Sequence, residues 1–184
     1  MFRTLLKRLA ESLDRAGVRY MVFGGQAVLL HGELRVTRDI DILLGIEPDE
    51  AATILAMIRE LGLQVLVSDV ENFLRDTFVL PVMDRETGIR VDFVFSLSAY
   101  ECQALHRATS VVIDAMKVRF VSVEDLIVQK IVAGRPRDLE DVKTVFLKNP
   151  DFDRAYVEKW LKEFDQELDS QFFLVYEQIA AELA

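Results

Sequence analysis

Apolar positions recur at helical spacing from the start of the chain. Leu5, Leu6, Leu9 and Leu13 share one face and Gly17 supplies a stop, which predicts a helix over residues 3–16. The next run, Val18 to Phe23, is rich in β-branched and aromatic residues and leads directly into Gly24-Gly25. Gln26 to His31 can then turn helical, giving strand, glycine turn and short helix. Asp39 to Leu44 alternates as a strand. Glu47-Pro48-Asp49-Glu50 starts a helix that Ala52, Leu55, Ile58 and Leu61 continue as far as Gly62. Short strands are predicted at 63–67 and 77–82. Thr87-Gly88 turns the chain into a strong strand over 89–95, and a hairpin is predicted from 109–113 and 117–121.

From Val123 the strand signal stops, and helices are predicted over 123–133, 137–148, 154–166 and 170–183. The pattern is that of an α+β protein: a strand-rich core over 1–122 and a helical tail over 123–184. No linker composition separates them, so the tail is expected to pack on the core.

Composition narrows the class. The chain has 184 residues, 51% hydrophobic and 29% charged, which is enough to bury a core and excludes a disordered or collagen-like chain. Lys plus Arg number 22 against 31 Asp plus Glu, a net charge of −9, so nucleic acid would have to dock on a local patch and not through general positive charge. The lone Cys102 excludes an internal disulfide framework. The amino terminus reads as an amphipathic helix, not a signal peptide. No run reaches the roughly 20 apolar residues of a membrane span. The expectation is a cytoplasmic protein in a reducing compartment, with no membrane partner.

The informative chemistry lies in the acids. On a strand, residues i and i+2 share a face, so Asp39 and Asp41 project together while Ile40 and Ile42 enter the core. Paired carboxylates suit Mg²⁺, which binds one or two of them together with substrate phosphate, although a solvent-facing strand also carries such pairs. Asp92, inside the apolar run Val91 to Phe95, needs a charge partner if it is buried. A third acid on a neighbouring strand suits two-metal phosphoryl or nucleotidyl transfer. Gly24 and Gly25 allow backbone amides to approach a triphosphate, with a helix N-terminus behind them.

Phe23-Gly24-Gly25, then Asp39-Ile40-Asp41, then Asp92 on a later strand resembles the nucleotidyltransferase fold superfamily, which includes DNA polymerase beta and the kanamycin and lincosamide nucleotidyltransferases. The stretch from Arg35 to Asp41, with Lys130 to Asp141, further resembles the AbiE-type nucleotidyltransferase toxins of bacterial toxin-antitoxin systems. The resemblance covers roughly residues 18–148. It implies a mixed sheet flanked by helices, two Mg²⁺ ions (or Mn²⁺) on Asp39, Asp41 and Asp92, and Gly24 and Gly25 at the nucleotide phosphates. It also implies that Arg35, Thr37 and Lys130 bind the nucleotide, that Asp92 helps activate the acceptor hydroxyl, and that Arg135 and Asp138 play supporting roles.

The leading expectation is transfer of a nucleoside monophosphate from a nucleoside triphosphate to a tRNA end, a protein hydroxyl or a small molecule, in a toxin setting if the AbiE likeness extends to function. The alternative is a non-catalytic interaction protein on the same fold, and a phosphohydrolase ranks third because only His31 and His106 are present. The stripe Phe152, Tyr156, Trp160 and Phe164 reads as a helix's core face. The final helix is apolar around more than one side and is expected to pack on the body, with an interface for an antitoxin or a second copy of the chain as the lesser alternative.

Overall fold

The computed structural model describes residues 1–33, 37–96 and 98–183. The predicted opening succession is present: α1 (Phe2–Arg15), β1 (Tyr20–Phe23), α2 (Gly24–His31) and β2 (Asp39–Leu44). A 3₁₀ turn at Pro48–Glu50 leads into α3 (Ala51–Glu60), followed by β3 (Leu63–Val65), α4 (Val70–Thr77), β4 (Val79–Asp84) and β5 (Arg90–Phe95). Then come α5 (Ala99–Arg107), β6 (Thr109–Ile113) and β7 (Met116–Phe120). The helices α6 (Val123–Ala133), α7 (Pro136–Lys148), α8 (Arg154–Leu168) and α9 (Phe172–Glu182) complete the chain.

Two helices, α4 and α5, fall where no element was expected. Both carry local start signals: the Asp69 side chain accepts a hydrogen bond from the Asn72 N–H, and Ser98 forms a reciprocal capping box with Glu101. Both are short, and α4 buries only Leu74, so neither shows a long apolar stripe.

The chain divides into two compact units. The first comprises Met1–Gln26 with Val36–Val121, the second Ala27–Arg35 with Ser122–Ala184, so the division passes through α2.

The first unit contains a seven-stranded mixed sheet in the order β3-β4-β5-β2-β1-β7-β6. The class is α+β, as expected. β2 lies at the centre, antiparallel to β1 and parallel to β5. Register places Phe120, Val22, Ile42, Phe93 and Leu80 in one row across five strands, each at most 4% exposed. This row is the centre of the apolar face. The amphipathic α1 buries Leu5, Leu6, Leu9, Ala10 and Leu13, and Arg8 ties it to the end of α3 by donating to the Leu61 carbonyl at 2.7 Å. Pro81 sits inside β4 without breaking it. Its carbonyl accepts from Leu66 N–H on the β3 side, the side its own nitrogen faces, so the missing donor falls beyond the last β3 pair.

In the second unit α6 packs against α7, α8 and α9. Phe152 and Trp160 are buried, Phe146 meets Phe152 edge-on, and the Tyr156 hydroxyl donates to Asp125 at 2.8 Å. The predicted aromatic stripe is therefore largely core, not an exposed stacking surface. The end of α7 holds the end of α2: Lys148 Nζ donates to the Gly32 carbonyl at 2.5 Å and Asn149 Nδ2 to the His31 carbonyl at 2.7 Å. No helix among the described residues is long and apolar enough to cross a membrane.

Candidate active site

The face of the sheet opposite the apolar row carries the acids. In β2 the buried Ile40 and Ile42 alternate with the partly exposed Asp39 and Asp41; in β5 the buried Val91 and Phe93 flank the partly exposed Asp92. The parallel register sets Asp39 beside Arg90 and Asp41 beside Asp92. Neighbouring residues in register share a face, so three carboxylates and one guanidinium form a two-by-two block across two central strands. The periodicity of β2 set two of these acids on one side. Only strand pairing could bring in the third.

β1 is the other neighbour of β2, with Phe23 opposite Asp41. The chain then turns sharply at Gly24, φ +61°, and α2 begins there without an intervening loop. The left-handed conformation favours glycine, and space requires it as well: a Cβ on Gly24 would overlap Asp41 Oδ2 and stand 2.9 Å from Asp41 Cγ. The Asp41 carboxylate thus sits against the first residue of the helix, whose unpaired N–H groups and positive dipole end favour anions. Gly25 follows as the second residue of the same turn.

Local hydrogen bonds hold the other two acids. Thr37 Oγ donates to Asp39 Oδ1 at 2.9 Å, and Gln26 Nε2 donates to the Asp39 carbonyl at 3.4 Å. Arg90 Nε donates to Asp92 Oδ1 at 2.9 Å. Asp92 therefore has the charge partner its apolar strand demanded. Arg90 was not anticipated as a site residue, although its position two residues before Asp92 on a strand was the signal that would have found it.

The matching family model covers residues 2–171 and is described as a nucleotidyltransferase of unknown function (DUF6036). The chain belongs to this family. Among solved structures, ANT(2'')-Ia in complex with adenylyl-2''-tobramycin has 17% identity and a TM-score of 0.61, over 90% of this chain and 98% of that one. An antigenic nucleotidyltransferase-like protein from Paracoccidioides brasiliensis has 17% identity and a TM-score of 0.56, over 90% and 87%. The lincosamide antibiotic adenylyltransferase LnuA, lincomycin-bound, has 16% identity and a TM-score of 0.52, over 74% and 91%. At such identities the likeness is one of fold. No curated protein sequence matches the chain. The superfamily read from Gly24-Gly25, Asp39, Asp41 and Asp92 is borne out.

Among the described residues of this nucleotidyltransferase family member, no three His, Cys, Asp or Glu side chains converge into a metal-holding group as they stand. The donor set itself suits a hard divalent cation: three carboxylates on one face, two of them in register, beside a helix N-terminus, with no thiolate or imidazole among them. His106 lies elsewhere, with Arg19 Nη1 at 2.9 Å from its Nε2, and Cys102 is exposed.

Lys130, Arg135 and Asp138 belong to the second unit. Lys130 is buried and donates to Asp138 Oδ1 at 2.5 Å and Asp141 Oδ2 at 2.9 Å, while Arg135 Nε donates to Asp138 Oδ2 at 2.8 Å. Burial pushes the Asp138 carboxyl up, but the hydrogen bond and charge of Lys130, with the guanidinium of Arg135, more than offset this and hold it below its ordinary range. The four side chains balance two positive charges against two negative ones across the α6–α7 corner. Arg35 lies outside the described residues.

Proposed function

We propose that the chain is a metal-dependent nucleotidyltransferase that moves a nucleoside monophosphate from a nucleoside triphosphate to an acceptor hydroxyl. The observation that carries this reading is the register of Asp41 with Asp92, with Asp39 on the same face and Gly24 opening α2 against the Asp41 carboxylate.

In this reading Asp39, Asp41 and Asp92 hold two Mg²⁺ ions, or Mn²⁺ in their place. When bound, these supply charge for the α-phosphate and the departing pyrophosphate. Gly24 and Gly25 present backbone N–H groups to the phosphates, and Thr37 holds the Asp39 carboxylate in its orientation. The acceptor oxygen forms a bond to the α-phosphorus as the bond from phosphorus to the bridging oxygen breaks. Pyrophosphate leaves, and Asp92 takes the hydroxyl proton. Arg35 and Lys130 are candidates for the nucleotide itself, with Arg135 and Asp138 supporting Lys130 through the pairs already described.

A small-molecule hydroxyl is the acceptor we favour. The net charge of −9 disfavours extended RNA contacts. Two proteins of this fold are named with such a ligand, adenylyl-2''-tobramycin in one and lincomycin in the other. A nucleoside triphosphate substrate is in keeping with a cytoplasmic activity. The AbiE-like stretch keeps a tRNA end or a protein hydroxyl, and with them a toxin role and an antitoxin partner, as the reading to test against.

The test is a transfer assay with Mg²⁺ and each α-labelled nucleoside triphosphate in turn. It is offered a panel of hydroxyl-bearing small molecules, and in parallel lysate RNA and protein. Wild type should transfer label to a small acceptor, and the Asp39→Asn/Asp41→Asn variant should lose at least about a thousandfold in rate, since metal ligands are removed. Label in a discrete RNA or protein band would move the acceptor to the toxin reading. Equal rates in wild type and variant would overturn the catalytic reading and leave the fold as an interaction module.

A further inference from the structure

The two-by-two block on β2 and β5 contains one base. Arg90 leaves its strand beside Asp39, yet its Nε is bonded to Asp92 Oδ1, two residues along its own strand, at 2.9 Å. Asp41 and Asp92 stand directly opposite each other, an arrangement in which like charges destabilise a sheet. The Asp92 side chain is only 16% exposed, whereas Arg90 is 50% exposed. A half-exposed guanidinium can leave such a pair at little cost, because water solvates it when it goes. A largely buried carboxylate beside another carboxylate is costly to leave without a counter-charge.

We propose that Arg90 is the resting counter-ion of this face: its guanidinium neutralises Asp92 until a divalent cation takes that carboxylate, so arginine and cation compete for one ligand. The proposal rests on the metal-dependent reading above and adds a positioning residue to it. While the pair is made, Asp92 is held in place without its charge facing Asp41 unopposed. When a cation binds, its charge replaces that of Arg90, and the guanidinium swings toward solvent. The cost is metal affinity, because every cation that takes Asp92 must first displace an arginine.

The test is Mn²⁺ binding to the full chain without nucleotide, at constant ionic strength, followed by the electron paramagnetic resonance of free Mn²⁺. Arg90→Gln should bind Mn²⁺ about twofold to fivefold more tightly than wild type, the scale expected from releasing a partly exposed ion pair. Arg90→Met, which keeps the length of the side chain and removes its charge, should do the same if the glutamine variant fails to fold. The gain should vanish in an Asp92→Asn background, where the carboxylate that Arg90 pairs with is gone, and a merely structural role for Arg90 would not produce that coupling. Unchanged or weaker Mn²⁺ binding in folded Arg90 variants, with wild type still binding, would overturn the inference and leave the proposed function standing. A gain that persists without Asp92 would also overturn it, as a general charge effect. Absence of Mn²⁺ binding in wild type and Arg90 variants alike, up to tens of millimolar, would overturn both.

Discussion

Gly24 occupies a position where backbone and side-chain constraints coincide. Its φ of +61° disfavours any residue with a Cβ, and that Cβ would take the space of the Asp41 carboxylate. Gly88 offers the internal comparison, because it shares the left-handed conformation at φ +69° but has nothing within 4 Å of the added carbon. Gly24→Ala and Gly88→Ala should each lose about 1–2 kcal/mol of stability from the backbone alone. Only Gly24→Ala should also lose turnover, by about a hundredfold or more, because Asp41 must move. Thermal melting and transfer rates measured on the same two variants separate the effects, and full activity in Gly24→Ala would show that Asp41 needs no such seat. Asp39 and Asp41 were legible from sequence because strand periodicity alone sets them on one face. From strand pattern alone Asp92 is legible only as an expensive acid in an apolar run, and its place beside Asp39 and Asp41 comes from the family resemblance.

At the scale of elements, the α6–α7 corner is held by charge as well as by packing. The turn between the helices passes through Gly134 at φ +63°, and Lys130 reaches across it to Asp138 and Asp141. Lys130→Met would leave two buried carboxylates without their shared cation and should cost about 3 kcal/mol, read from urea unfolding near neutral pH. Because the Asp138 carboxyl is held below its ordinary range, its contribution to stability is complete above about pH 4, the unfolded value, and is lost as pH falls through the lowered folded value. Wild type should therefore lose more stability than Asp138→Asn between about pH 5 and 2, with parallel curves above that window. Helix periodicity predicted α6 to its residues, Val123–Ala133, because a long helix repeats its apolar stripe several times. The eight- and nine-residue α4 and α5 do not, and were recognisable only by the caps at Asp69 and Ser98.

For the whole molecule, net charge decides which partners approach. At −9 the chain repels polyanions, so a random RNA of about twenty nucleotides should not shift in a gel at about 150 mM salt below about 100 µM protein. Retention at low micromolar protein would count against a small-molecule acceptor and for an RNA end. The sequence by itself determined the charge, the helices long enough to repeat their pattern, the alternation in β2 and the glycine turn before α2. Each is a property of neighbours along the chain. Tertiary structure decided that β5 lies parallel beside β2, with Asp92 level with Asp41 and Arg90 level with Asp39. It also decided that Lys130 meets two aspartates across a corner. Those are pairings between separate segments, set by sheet order and helix packing, and one-dimensional spacing carries no record of them.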